Sequence, residues 1–393
     1  MKYKENWEET KEKFTNYWHH CNTGRPLMRV IARKPEIEAL SDGQPCEGSN
    51  AEVFCQGGYY DLPDHLKWKS MEDKYLNPEQ IVGRYYDFCE KHLFLGEAFP
   101  NMDVSLGPGS LAAYLGSEVG MNDDTVWFQP CIDDWDEAGE LTFNPDDKWW
   151  KIHYDLVKRI REFVGDDVLL DMPDLMENID VLSSLRGAQE LMMDTIEDPD
   201  AIGERVNQVT NAYFEYYDRM RELVEDKDGG NAYNCFQIWA PGRLSKLQCD
   251  ASAMMSKEMF DDFVLESLRT QSEKLDYVLY HLDGPGAIRH LDSLMTIEGI
   301  DALQWTPGDN GPDGTCEDWD QIYDKVIAAG KSLWIKVYSG GFDDWIRNCD
   351  RVVQKYGSHS IFFFYPEMSY EQAKTLLAYA DGHWSDVKGT FTI

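Results

Sequence analysis

The chain has 393 residues, is 42% apolar and 13% aromatic, and carries a formal charge of −35. Acidity on that scale repels phosphate backbones and anionic lipid headgroups, which argues against nucleic-acid and membrane-surface partners. Nine scattered cysteines without a CxxC pair, charged residues throughout 1–13, and no apolar run of membrane-spanning length lead to the expectation of a cytoplasmic protein without disulfide framework, zinc ribbon or secretory signal.

Residues 5–20 read as a helix with Trp7, Phe14, Tyr17 and Trp18 on one side. Residues 26–34 read as a short strand. Residues 35–76 are irregular and rich in Gly, Pro, Asp and Cys; Tyr59, Tyr60, Leu66 and Trp68 could anchor them as an insertion or lid. A helix follows over 78–92, with Pro78 at its start. Gly107-Pro-Gly, before small apolar residues, suggests a turn into a short helix; it matches neither GK[ST] nor GxGxxG and is no phosphate loop. Residues 149–163 are helical.

Beyond residue 165 the alternation becomes regular. Strands are expected at 168–171, 231–239 and 247–251, with helices over 179–195 and 199–225. Ser256 caps a helix whose apolar face is Phe260, Phe263, Val264 and Leu268. Strands at 277–283, 300–305, 332–337 and 361–365 then alternate with helices, including 316–329 closed by Gly330, 343–355 and 370–379. One helix per gap is a βα repeat, and a continuously apolar run such as 361–364 suits a sheet buried on both faces. A single (β/α)8 barrel spanning 1–393 is the leading expectation, with 1–97 as an N-terminal extension and insertion packed on it. An open doubly wound sheet is the alternative.

In such folds the carboxyl ends of the strands carry the chemistry. The stretch 277–286 reads Tyr-Val-Leu-Tyr-His-Leu-Asp-Gly-Pro-Gly. His281 and Asp283, two apart, share a face of an extended chain. The pair suits either a metal or acid–base contacts with a substrate. Other strand-end candidates are Asp171, Asp174, Gln237, Trp239, Cys249, Asp250, Gln304, Trp305, Lys336, Tyr338, Tyr365 and Glu367. Asp171 and Asp250 serve equally well as helix caps, and Trp239 and Trp305 as core.

Several blocks resemble the uroporphyrinogen decarboxylase superfamily. Residues 250–264 are similar to its "D…ispe.F.eFv.P" block. Residues 280–286 with Leu291, Leu294 and 299–304 are similar to its "HxCG…l..l.e.G.Da.." segment, and Leu185-Arg-Gly187 with Asp198-Pro199 to "lrG…dPe". The resemblance spans about residues 165–380 and implies a (β/α)8 barrel. The "RQAGRY" segment of true decarboxylases is absent, since Arg25-Pro-Leu-Met-Arg29 does not match it. The resemblance therefore points to the corrinoid-dependent methyltransferase branch.

Many members of that branch bind zinc through His-x-Cys and a later Cys. Here the pair is His281-x-Asp283, and Glu367 is the nearest ligand type by the last strand. A nitrogen and oxygen site of His281, Asp283 and Glu367 can still hold Zn²⁺ with an open position. It favours polarising the oxygen of a methyl donor over activating a thiol.

The resemblance thus implies methyl transfer between a small methoxylated or methylated compound and a corrinoid protein. His281, Asp283 and Asp250 would be catalytic, and Trp239, Gln237, Gln304, Trp305 and Tyr338 would line the substrate site. Asp381-Gly-His383 lacks the glycine of a cobalamin motif, so cobalamin is expected on a separate partner. A homodimer is also implied. The alternatives are a decarboxylase or lyase using Arg243, Arg289 or Lys336, and a non-catalytic small-molecule binding protein.

Overall fold

The computed structural model describes residues 1–38, 62–233, 236–308 and 311–392. Tyr59 and Tyr60, expected to anchor the insertion, lie outside them. Leu66 is buried, and Trp68 donates to Asp123 Oδ1 at 2.9 Å.

The strands are β1 (Leu27–Arg33), β2 (His92–Gly96), β3 (Asn101–Met102), β4 (Glu118–Met121), β5 (Val126–Gln129), β6 (Leu169–Met172), β7 (Asn231–Tyr233), β8 (Ile238–Ala240), β9 (Leu244–Gln248), β10 (Tyr277–Asp283), β11 (Ala302–Thr306), β12 (Ser332–Lys336) and β13 (Ile361–Phe364). Seven form one sheet in the order β2-β1-β13-β12-β11-β10-β9. Every pairing in it is parallel except that of β1 with β2. A second sheet runs β3-β6-β7-β8, and β4 with β5 makes a hairpin. The fold is mixed α/β, and the strand pairing among the described residues does not close into a ring.

The opening between β7 and β9 is bridged by a side chain. Buried Asn231 donates from Nδ2 to the Leu244 carbonyl at 3.1 Å and accepts from the Leu244 N–H at 3.0 Å. An amide side chain offers one donor and one acceptor in the geometry of a peptide, so it takes the place of a ladder rung.

The helices used below are α1 (Trp7–Trp18), α2 (Pro78–Lys91), α3 (Lys148–Val164), α4 (Asn178–Arg186), α5 (Ala188–Glu197), α6 (Pro199–Val224), α7 (Lys257–Phe263), α8 (Leu265–Glu273), α9 (Asp320–Ala328), α10 (Phe342–Tyr356) and α11 (Tyr370–His383). Asn77 caps α2 and Ser256 caps α7, each accepting from the N–H three residues on. The single helix expected over 179–195 is two, because Gly187 sits at φ 99° between α4 and α5. The helix after Ser256 also breaks, at Val264.

The expected strand 231–239 is a hairpin instead: β7 runs up, the chain turns, and antiparallel β8 returns. The next strand sits earlier than expected, at Leu244–Gln248, so Cys249 and Asp250 fall just past its end. α1 packs its aromatic side against the sheets: Trp18 donates to the Trp239 carbonyl at 2.8 Å, Tyr17 to that of Leu333 at 3.2 Å, and Phe14 meets Phe362 at 5.7 Å. No helix among the described residues is long and apolar enough to cross a membrane.

Replacing Asn231 by Leu leaves the buried Leu244 N–H without its acceptor. The expected cost is about 1–3 kcal/mol in urea unfolding at unchanged m-value. A change below about 0.5 kcal/mol would show that the bridge between β7 and β9 adds nothing to stability.

Candidate active site

Register decides which side chains meet. Gln248, His281 and Gln304 are Cα partners on β9, β10 and β11, and Gln304 is in turn the partner of Trp334 on β12. One pleat further on, Asp283 pairs with Thr306. Side chains alternate faces along a strand, so all of these share one face. Leu282 and its partner Trp305 take the other.

β10 therefore delivers His281 and Asp283 together, and Gly284 at φ 75° turns the chain straight after them. Asp250 joins them from the 3-10 turn that follows β9. One ligand atom from each of Asp250, His281 and Asp283 lies within 4.8 Å of the others. His281 and Asp283 are half-buried and Asp250 is exposed.

The loop carrying Asp250 is held from α4. Buried Asp180 accepts from the Asp250 N–H at 2.7 Å and the Ala251 N–H at 2.9 Å, as a capping carboxylate. Burial, then the charge of Asp250, pushes Asp180 up to about 6 despite those bonds. Beside it Glu177 accepts from the Gln248 N–H, and burial pushes this carboxyl well above its ordinary value. Lys246, on the same face as Gln248, is buried against Asp174 at 3.0 Å and donates to Gln248 Oε1. Burial, the largest single influence, would lower this ammonium; the surrounding carboxylates of Asp174, Glu177 and Asp250 together outweigh it and raise it.

His281 is braced on two sides. Its Nδ1 meets Gln304 Oε1, and the ring of Phe236 lies 5.5 Å away. Phe236 comes from the turn between β7 and β8; it also meets Trp334 at 5.4 Å and accepts from Trp334 Nε1 at 3.0 Å. The result is an apolar wall beside His281.

The remaining candidates are placed as follows. Gln237, at φ 44° in the same turn, accepts from Arg29 Nε. Trp239 is buried away from the cluster, its ring edge-on to Trp7 at 5.5 Å and its Nε1 donating to Asp226 at 3.0 Å. Trp305 packs on Trp319 at 5.2 Å, on the face opposite His281. Both indoles belong to the core rather than to the wall of this cluster. Tyr338 is half-buried, and its backbone N–H donates to Asp313 Oδ2. Asp171 receives Asn101 Nδ2 on both oxygens, at 2.9 and 2.8 Å.

Glu367 does not join the cluster: its oxygens accept from Arg33 Nε at 2.7 Å and meet His92 Nε2 at 3.1 Å. Of the three cations considered for a lyase, Arg243 pairs with Asp218 and the Lys274 carbonyl, and exposed Arg289 folds onto the Gly286 carbonyl. Lys336, two residues past Trp334 on β12, is the one of the three whose strand position shares the face of His281. Sequence reading missed Asp180 and Phe236. Asp180 falls in the first turn of the helix expected over 179–195, where an acid is ordinary, and Phe236 lies inside the strand expected over 231–239.

No protein-family model matches the chain, and no curated protein matches it in sequence. Among solved structures it is similar to a methyltransferase from Methanosarcina mazei, at 15% identity and a TM-score of 0.59, over 96% of this chain and 99% of that one. A B12-independent methionine synthase from Shewanella sp. W3-18-1, in complex with selenomethionine, matches at 9% identity and a TM-score of 0.40, over 69% of this chain and 74% of that one. The first likeness is one of fold, along nearly the whole of both chains.

Glu367→Leu is expected to destabilise the protein by about 3–5 kcal/mol, since it breaks a buried pair. Burial raises Glu367, but the bonds from His92 and Arg33 outweigh it and hold the carboxyl below its ordinary value. Its contribution is therefore present above the usual glutamate range and lost as pH falls through the depressed value. The gap in melting temperature between wild type and Glu367→Gln should close on acidification below that range; a gap that widens there contradicts the assignment.

Proposed function

We propose that this chain is a methyltransferase of the uroporphyrinogen decarboxylase-like type, moving a methyl group between a small methoxylated or methylated compound and a corrinoid carried by a separate protein. The observation that carries this reading is the convergence of Asp250, His281 and Asp283. The fold shared with the Methanosarcina mazei methyltransferase supports it, as does the order of the resembling blocks. The two sheets, bridged through Asn231, are read as an interrupted (β/α)8 barrel with this cluster at its mouth.

The donor set fits a divalent cation. One imidazole and two carboxylates, their ligand atoms within 4.8 Å, match a three-ligand zinc site that keeps a fourth position open. A cation bound there would supply Lewis-acid polarisation of the heteroatom bearing the methyl group.

The chain's own residues do the rest. Asp283 and His281 are set by one strand, so their spacing is fixed. Asp250 is exposed and stands on the approach from solvent. Phe236 and Trp334, packed edge to face, form a buried apolar backing on one side of the His281 ring. Lyase chemistry on an acid is less well served, because Arg243 and Arg289 are engaged elsewhere.

Elemental analysis of the purified protein is expected to find about one zinc per chain, lost in His281→Ala and Asp283→Ala. With a corrinoid protein and a panel of methoxylated compounds, His281→Ala should lower methyl transfer by at least about 100-fold. Equal metal content and equal transfer in wild type and His281→Ala would sink the proposal.

A further inference from the structure

Gln304 is buried, and both ends of its amide are committed. Its Nε2 donates to the Trp305 carbonyl at 2.9 Å and to Thr306 Oγ1 at 2.9 Å. A backbone carbonyl only accepts, so turning the amide over would set two oxygens against each other. Gln304 Oε1 is thereby fixed toward His281 Nδ1. An amide oxygen also only accepts, so the hydrogen in that contact belongs to Nδ1. A neutral imidazole has one N–H, which leaves the lone pair on Nε2. The register pairing of His281 with Gln304 sets this contact, and Phe236 at 5.5 Å limits rotation of the ring.

We infer that Gln304 is a positioning residue that locks His281 in the Nδ1–H tautomer, making Nε2 the nitrogen offered with Asp250 and Asp283 to a divalent cation. This rests on the metal reading of the cluster. Free histidine in water prefers the opposite tautomer, with the proton on Nε2. Without Gln304 a cation would have to displace that proton before binding, or meet the other nitrogen. A partner that fixes tautomer and ring orientation in this way typically changes metal affinity 10–100-fold. The sequence gives no sign of the role, since Gln304 lies 23 residues from His281 and reaches it through sheet register.

Metal-free protein labelled with ¹⁵N in its histidine rings, held at a pH where the ring is neutral, reports the tautomer by long-range proton–nitrogen correlation, with His281→Ala assigning the signal. The expectation is Nδ1–H in wild type. Gln304→Met, close in shape but without the acceptor, should shift the signal toward Nε2–H and weaken Zn²⁺ binding about 10–100-fold. An Nε2–H signal in wild type overturns the inference, and needs no variant to fold. So does Gln304→Met with wild-type tautomer and wild-type Zn²⁺ affinity. A Gln304-dependent Nδ1–H signal in a protein that binds no Zn²⁺ supports the tautomer lock and refutes the metal reading separately.

Discussion

Everything at this site depends on the registry of β10 with its two neighbours. A strand alternates faces every residue, and a slip of one would turn His281 and Asp283 to the side where Leu282 and Trp305 now pack. That slip is strongly opposed. Leu282 is buried against its partner Trp305, and exchanging it for His281 and Asp283 would press an imidazole and a carboxylate into that apolar layer and turn a leucine out of it. The apolar residues of β10 therefore position its polar ones, although none of them touches a ligand.

The second requirement is that a loop residue be as well placed as a strand residue. Asp250 lies beyond the end of β9, where no ladder bond holds it. Asp180 supplies what the ladder cannot, accepting from two successive N–H groups of that turn. Glu177 does the same for the Gln248 N–H one step earlier. α4 thus grips the carboxyl end of β9 through two acids at its start. The cluster draws on two strands and a helix terminus, so it is set by tertiary packing.

Much of this was legible in the sequence. The apolar runs at 277–283, 332–337 and 361–365 are strands buried on both faces, and their pattern has few other readings. His281, Asp283 and Asp250 were visible as polar residues at strand ends. Two kinds of information were not. The first is face: Trp305 sits at a strand end like Gln304 but one residue on, and only the pairing partner shows which of the two turns toward His281. The second is long-range capture. Glu367 has the chemistry of a ligand, yet Arg33 and His92, 334 and 275 residues away in sequence, take both its oxygens. The hairpin at β7 and β8 hid for a related reason. An apolar stretch with a short interruption reads as one strand until Arg29 and Trp334 are seen to hold Gln237 and Phe236 at its turn.

A chain of net charge −35 that gathers acids in its interior must keep them from repelling one another. The structure does this by unequal treatment. Burial pushes the carboxyls of Asp171 and Glu177 well above their ordinary values, and each is met by a hydrogen-bond donor, Asn101 Nδ2 on Asp171 and the Gln248 N–H on Glu177. Asp174 is matched by Lys246, a full positive charge in the same buried layer. Asp283 and Asp250 are the acids left half-buried or exposed, beside an imidazole. The two acids that share the cluster with His281 are thus ones that solvent, and a cation arriving from it, can reach. The deeper acids spend their oxygens on the fold, Asp180 on the Asp250 and Ala251 N–H groups and Glu367 on Arg33 and His92.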